Sequence, residues 1–408
     1  MSNMDNARPR ASKLAERRRD DRSRCSQVIR QLMLLVGAGL VVAASAEPAA
    51  AADWSVQPVP LPPRPANTSL SGVSCTSTSD CVAVGVANVI STDNYIPLIE
   101  HWNGTKWSIE RSPVPPLSDG GGALRDVSCA SSNACVAVGS FGPTYAPLAE
   151  RWNGSSWALQ RPPAAVDAYE FDGVSCVSST ECVAVGSGDE PIAERWDGQR
   201  WSVQVTHLPE TQATVGGLLG VSCPSHATCA AVGANDIGLC SDPYEYGSGY
   251  SDYYVPVLGL WASGHWSLRQ RPNIACSMTG QVEGGNGLDA VSCTSPTACT
   301  AVGSQVYRWN GSRWSVQPTP GSNRLAGVSC TSNNACTAVG SALHTWNGDG
   351  WSVLPIPSPA RATDVTLSGV SCVSPDSCVA VGSYENQATQ DFPLIVSIGM
   401  GAITPSER

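Results

Sequence analysis

Leu70-Ser-Gly-Val-Ser-Cys75-Thr-Ser-Thr-Ser-Asp-Cys81-Val-Ala-Val-Gly85 decides how this chain folds. Two short β-branched runs flank a polar loop, and a cysteine stands at each end of that loop. The stretch returns six more times, with its cysteines at Cys129/Cys135, Cys176/Cys182, Cys223/Cys229, Cys293/Cys299, Cys330/Cys336 and Cys372/Cys378. The first cysteine recurs at an average spacing of about 50 residues, a period that belongs to propeller blades or solenoids. Short runs rich in Val and broken by Ser, Thr and Asp predict strands. Nothing in the repeat follows a helical period, so helical solenoids are excluded.

Each copy continues into a second signature, Pro97-Leu-Ile-Glu-His-Trp102-Asn-Gly-Thr-Lys-Trp107-Ser in the first. The tryptophan pair returns at Trp152/Trp157, Trp196/Trp201, Trp261/Trp266, Trp309/Trp314 and Trp346/Trp351, which accounts for twelve of the 13 tryptophans. Asn103-Gly104 between two extended runs predicts a tight hairpin, because both residue types tolerate positive φ. One repeat therefore supplies four antiparallel strands. The reading is an all-β chain, a seven-bladed β-propeller with four antiparallel strands per blade. The seventh repeat ends at Pro393-Leu-Ile-Val-Ser-Ile398 without a fourth strand. The stretch Trp54-Ser-Val-Gln-Pro-Val-Pro60 matches Trp314-Ser-Val-Gln-Pro-Thr-Pro320 at all but one position. The N-terminal strand is thus expected to close the last blade and to remove the ring's free edges.

Residues 1–52 read as a secretory signal peptide. A basic segment holds Arg8, Arg10, Lys13, Arg17, Arg18, Arg19, Arg22, Arg24 and Arg30; an apolar run covers 32–44; small residues follow, with cleavage expected after Ala46 or Ala52. The apolar run is shorter than the roughly 20 residues that span a bilayer, and an uncleaved anchor is the alternative. The propeller is assigned to 53–400 and a tail to 401–408. Of the 24 Lys and Arg and 34 Asp and Glu, residues 1–52 hold nine and five, leaving 15 against 29, a net charge of −14. Such a surface excludes nucleic acid and anionic membranes as partners.

Fourteen of the 17 cysteines sit in the repeated pairs. In an exported chain they predict disulfides, each removing about 2–2.5 kcal/mol of unfolded-state entropy in the chain-entropy model. Metal ligation would need further ligands, and His101, His207, His226, His265 and His344 follow no repeat position. No metal and no cofactor is expected. The tryptophans, present in nearly every copy, are read as packing between blades rather than as a carbohydrate-stacking surface.

The Trp-Asn-Gly-x-x-Trp hairpin resembles secreted bacterial β-propellers and is similar in style to the Kelch and Asp-box (sialidase-type) repeats. The resemblance covers 54–400 and implies architecture. Asp-box repeats carry Ser-x-Asp-x-Gly-x-x-Trp, of which only Gly-x-x-Trp survives here, as in Gly154-Ser-Ser-Trp157 and Gly198-Gln-Arg-Trp201. Neither the arginines and Tyr/Glu pair of sialidases nor the Tyr/His copper site of galactose-oxidase-like enzymes can be placed.

Departures from a repeat are where specificity can be built. The largest lies in the fourth repeat, where Asp242, Tyr244, Glu245, Tyr246, Tyr250, Asp252, Tyr253 and Tyr254 form a binding-site candidate; the alternative is a solvated loop held by its own aromatics. Cys240 and Cys276, outside the repeated pairs, are expected to bridge and to tether that loop. The same face should carry the loops 86–96, 162–172 and 383–392. No catalytic constellation stands out. The chain is read as a secreted or cell-envelope binding scaffold, a monomer that recognises an extracellular protein or carbohydrate. The alternative is a glycoside hydrolase of sialidase-like type or a polysaccharide lyase with its site in the central funnel. Acids clustered with Arg or Tyr at the channel mouth would favour the enzyme; a lining of Val, Ser and Ala would favour the binder.

Overall fold

The computed structural model describes residues 53–62, 65–89, 94–113, 121–163, 168–206, 215–236, 254–270, 287–319, 321 and 324–400. The chain divides into Met1–Ala51 and Ala52–Arg408, and all described residues belong to the second unit. Among the described residues every element is a strand. A short strand β1 (Ser55–Val56) precedes the first repeat, which forms β2 (Pro65–Ser77), β3 (Asp80–Val89), β4 (Asn94–Trp102) and β5 (Trp107–Glu110). The second forms β6 (Gly122–Ser131), β7 (Ala134–Phe141), β8 (Ala146–Trp152) and β9 (Trp157–Gln160). The third forms β10 (Ala168–Ser178), β11 (Glu181–Gly188), β12 (Ile192–Trp196) and β13 (Trp201–Gln204). The fourth forms β14 (Val215–Ser225), β15 (Thr228–Asp236), β16 (Tyr254–Ala262) and β17 (His265–Gln270). Next come β18 (Leu288–Ser295), β19 (Ala298–Gly303), β20 (Val306–Trp309) and β21 (Trp314–Gln317). The sixth forms β22 (Leu325–Ser332), β23 (Ala335–Gly340), β24 (Leu343–Trp346) and β25 (Trp351–Leu354). The last forms β26 (Asp364–Ser374), β27 (Ser377–Glu385) and β28 (Asp391–Ile398).

Strands of one repeat pair in sequence order, giving five four-stranded antiparallel sheets and one eight-stranded sheet. The larger sheet joins the third and fourth units through Ser187 opposite Gly217 and Gly188 opposite Gly216. The last sheet has the order β1-β28-β27-β26, with Ser55 opposite Ser397 and Val56 opposite Val396. Gly104 at the first hairpin has φ 88°, and its counterparts Gly154, Gly198, Gly311 and Gly348 lie between 90° and 101°, a conformation that a β-branched residue could not hold. The hairpin asparagine accepts two backbone N–H bonds, as Asn103 does from Thr105 and Lys106 at 3.0 and 3.1 Å.

Seven disulfides staple the first two strands of each repeat. Cys75 bonds to Cys81, Cys129 to Cys135, Cys176 to Cys182, Cys223 to Cys229, Cys293 to Cys299, Cys330 to Cys336, and Cys372 to Cys378. The loop is shorter than the cysteine spacing implies. Strands run past the bridge, so that Ser77 pairs with Asp80 and only two residues make the turn. The two members of a pair differ in setting. Cys75, Cys129, Cys176, Cys223, Cys293, Cys330 and Cys372 are partly buried. Cys81, Cys135, Cys182, Cys229, Cys299, Cys336 and Cys378 are buried. The first six of these join the apolar clusters between units, and Cys378 Sγ lies 3.8 Å from Thr337 Oγ1 of the sixth unit. Each bridge thus links a hairpin to the packing beside it.

The Cα atoms of Cys75 and Cys81 are 4.0 Å apart, the spacing of a cross-strand position whose N–H groups point away from the partner strand. The serine of Val-Ser-Cys takes up those outward N–H groups. Cys129 N–H donates to Ser74 Oγ, Cys176 to Ser128, Cys223 to Ser175, Cys293 to Ser222, Cys330 to Ser292, Cys372 to Ser329, and Cys75 to Ser371, all at 2.9–3.0 Å. Each serine ties its unit to the next, and the relay returns from the last repeat to the first. Replacing one acceptor leaves a part-buried N–H without its partner. Ser329→Ala is expected to lower stability by about 1–2 kcal/mol, read from the urea midpoint of the oxidised protein; an unchanged midpoint would show that water replaces the hydroxyl at no cost.

Hydrophobic clusters form between units rather than within them. Val84 and Ile99 of the first unit pack with Leu124, Leu148 and Trp157 of the second, and Leu70 and Leu98 pack with Val381 and Ile395 of the last. The tryptophan pairs tilt against each other at 5.6–5.8 Å between ring centres. Trp102 and Trp152 each donate Nε1–H to a hairpin carbonyl at 3.1 Å. Trp309 and Trp346 do the same, to Pro296 C=O and Asn333 C=O at 3.2 and 3.3 Å. Nε1 of Trp196, Trp201, Trp266, Trp314 and Trp351 has no partner among the described residues, so their role is area and shape.

Candidate functional site

In every repeat the first strand carries a β-bulge at one position. Leu70 lies opposite Gly85 and Gly72 opposite Val84, which leaves Ser71 unpaired. The same skip frees Arg125, Asp172, Leu219, Asp289, Ala326 and Ser368. A bulge re-aims the extra side chain, and here all seven line one cavity of about 290 Å³ at the centre of the sheets. The residue after the bulge is Gly or Ala in six repeats because the neighbouring strand approaches closely; a Cβ on Gly72 would stand 2.8 Å from the Cα of Asp126. Asp126 is the exception. Its carboxylate accepts the N–H groups of Val127 (2.8 Å) and Val174 (2.9 Å), which stitches the second unit to the third.

The lining is electrostatically uneven. Arg125 Nε donates to Glu170 at 3.1 Å, and Arg324 Nε donates to Asp289 at 2.6 Å. Asp172 accepts from Ser187 Oγ at 3.1 Å, and burial, reinforced by the charge of Glu170, pushes its carboxyl up to about 7. Burial raises Asp126 to about 6 against the pull of its two backbone N–H bonds. Ser71, Ala326 and Ser368 come from consecutive repeats and are uncharged, whereas Arg125, Asp172 and Asp289 come from the second, third and fifth, with Leu219 of the fourth among them. Among the described residues no group of three or more His, Cys, Asp or Glu could hold a metal ion.

A second cavity of about 290 Å³ opens at the seam between the first and second units, lined by Val86, Tyr95, Gly121, Gly122, Ala123, Arg125, Ser140, Phe141, Gly142 and Tyr145. Arg125 borders both cavities, so the axial mouth and the seam meet at one guanidinium. None of the fourteen bridged cysteines lines either cavity.

Three further acids are buried away from these cavities. Glu100, Glu150 and Glu194 hold the same place in β4, β8 and β12, two residues before the first tryptophan, and are 0–1% exposed. Both carboxylate oxygens of Glu100 and Glu194 lack hydrogen-bond partners among the described residues, while Glu150 accepts from Ser112 Oγ at 2.7 Å. Burial raises Glu100 and Glu194 to about 8 and Glu150 to about 7.

Of the residues singled out in the sequence, Asp242, Tyr244, Glu245, Tyr246, Tyr250, Asp252 and Tyr253 lie outside the described residues, as do Cys240 and Cys276. Tyr254 opens β16 opposite Asp236. Sequence reasoning missed the bulge ring. Its signal was present: the position between a constant Leu (Phe once) and Gly/Ala/Asp-Val-Ser-Cys varies as Ser, Arg, Asp, Leu, Asp, Ala and Ser.

No protein-family model matches the chain, and no curated protein matches it in sequence. Among solved structures it is similar to YCF48 from Cyanidioschyzon merolae, at 14% identity and a TM-score of 0.54 over 85% of this chain and 99% of that one. It is likewise similar to YCF48 bound to D1 peptide, at 13% identity and a TM-score of 0.53 over 85% and 96% of the two chains. Both are β-propellers. At this identity the likeness bears on the fold alone: the chain is an all-β protein of propeller type, and its four-strand units are blades.

Proposed function

We propose that this protein is an exported, closed seven-bladed propeller that binds a peptide segment of an extracellular protein at its axial mouth. The observation that carries the reading is the bulge ring. Seven side chains of varied chemistry are aimed at one opening while their flanking residues stay nearly constant, which is how a scaffold keeps its shape and varies its contacts. Closure is supported by the β1–β28 pairing and by the serine relay from Ser371 to Cys75. Export is supported by the seven bridges. A propeller of similar fold has been solved with a peptide bound. Asp242, Tyr244, Glu245, Tyr246, Tyr250, Asp252, Tyr253 and Tyr254 would extend the contact surface, and a Cys240–Cys276 bridge would tether their loop.

A linear peptide library panned on the oxidised chain from Asp53 onward tests this. Enriched peptides are expected to lose at least about tenfold in affinity with Asp172→Arg or Leu219→Arg, the Leu219 variant at an unchanged melting temperature. A variant lacking 236–254 is expected to weaken the same peptides. Failure to enrich any peptide, or binders indifferent to the mouth variants, rejects the reading.

The hydrolase or lyase reading draws on Asp126, Asp172 and Asp289 beside Arg125. Two of these acids are already committed, Asp126 to backbone amides and Asp289 to Arg324. Asp172 alone is placed to exchange a proton near neutral pH, and glycoside hydrolysis of the usual type needs a second, ionised carboxylate. Turnover of a chromogenic glycoside that Asp172→Asn abolishes would reinstate it.

A further inference from the structure

We propose that the cavity at the seam of the first two blades is a docking site for a proline-containing stretch of an extended peptide. This inference rests on the peptide-binding reading above and names the ligand class. The walls are aromatic. Tyr95 and Tyr145 are 51% and 64% exposed, an unusual cost for such large rings, and Phe141 forms a third side. Gly121, Gly122 and Gly142 lie between them and leave the rings accessible. Tyr145 has φ 54°, the left-handed region, where a residue other than glycine is strained. Its N–H donates to Gly142 C=O at 3.2 Å, so the turn holds the ring out in spite of that strain.

The polar inventory selects the ligand. Gly121 C=O already accepts Gly142 N–H at 2.8 Å, and Ser140 Oγ donates to Glu170 at 3.5 Å from a buried position. Arg125 uses Nε on Glu170, and its terminal amino groups have no partner among the described residues. The cavity therefore offers aromatic faces and the free donors of Arg125, while Gly121 C=O already carries one bond and the tyrosine hydroxyls can donate or accept. A ligand that brings acceptors and few donors of its own matches the free amino groups of Arg125. Proline has an apolar ring, a carbonyl acceptor and no N–H. Proline-rich segments are pre-ordered as polyproline II and dock in aromatic-lined grooves at low entropic cost.

The experiment is fluorescence anisotropy of the oxidised chain from Asp53 onward with a fluorescein-labelled decaproline. A Gly-Ser peptide of equal length is the control, and a cello-oligosaccharide is the competitor. Tyr145→Gly is the central variant, because it removes the ring while relieving the backbone strain, so the fold is retained. Decaproline is expected to bind saturably, and Tyr145→Gly and Tyr95→Ala to weaken it at least about tenfold at an equal or higher melting temperature. Decaproline binding no better than the Gly-Ser peptide, or equally well to the variants, overturns the proposal. Displacement by the oligosaccharide at the same residues would reassign the cavity to a glycan and also overturn it. If decaproline fails while library peptides still bind through Asp172 and Leu219, the peptide reading stands and only the proline assignment falls. If both fail, both fall.

Discussion

Acidification from about pH 8 to about pH 5 is expected to stabilise this protein. Glu100 and Glu194 stay protonated in the fold up to about 8 and Glu150 up to about 7, whereas an unfolded glutamate titrates at 4.5. Between those values the folded state binds more protons than the unfolded one. Stability is therefore fully present below 4.5 and is lost as pH rises through 7 to 8. Asp126 and Asp172 add to the same slope. The buried His344 opposes it, because its protonation is disfavoured in the fold and costs stability below 6.5. Ionising a glutamate at the seam means leaving a buried carboxylate without a partner or drawing water between blades, a loss of about 1–3 kcal/mol per residue. Glu100→Gln/Glu194→Gln should flatten the profile and raise the urea midpoint at about pH 8, where the wild type is weakest. A midpoint that is level or rises from pH 5 to 8 in the wild type would contradict the assignment.

Deleting residues 53–59 is expected to be the most damaging small change. Trp54 packs against Leu394 and Val396, Gln57 N–H donates to Ile395 C=O at 2.8 Å, and Val59 covers Leu98, Trp102 and Ile395. Loss of the segment uncovers those side chains and the edge of β28. Trp54→Ala alone should cost about 2 kcal/mol, below the range for a fully buried tryptophan because this one is half-buried. The deletion should cost more and should self-associate through the bare edge, seen as a concentration-dependent mass in light scattering. A peptide spanning Trp54–Leu61 added in trans should restore the monomer and raise the melting temperature with its concentration. A deletion variant that stays monomeric with an unchanged melting temperature would mean that β1 is ornamental.

Much of the fold was legible because its determinants are local and copied. The cysteines, the Asn-Gly turns and the tryptophan pairs each act within one hairpin, so spacing alone locates β2 with β3 and β4 with β5. The partner of β1 was legible for another reason: Trp54-Ser-Val-Gln repeats a strand that the last copy lacks. The site was less so. Period-two alternation cannot show a bulge, so Arg125, Asp172 and Asp289 read as ordinary strand residues until the register with β7, β11 and β19 is known. The burial of Glu100, Glu150 and Glu194 is hidden for a related reason, since it comes from the preceding blade: Leu98 and Trp102, on the face of Glu100, pack against Val381 and Ile395, and Glu150 accepts from Ser112. The same holds for the bridges, where spacing gives the pairing but not that Cys81 is buried while Cys75, whose N–H bonds Ser371 of the last blade, is only partly so. The two tests set for the funnel gave a divided answer. Ser71, Ala326 and Ser368 occupy one arc, and Arg125, Asp172 and Asp289 stand elsewhere on the same rim.

The bridges have a consequence for how the chain is made. Each of the seven joins a cysteine to the very next one along the polypeptide. Oxidation that simply keeps pace with the growing chain yields the correct partner for these pairs, without reshuffling. Blade assembly can proceed in the same order, while the first strand to emerge has to wait for the last.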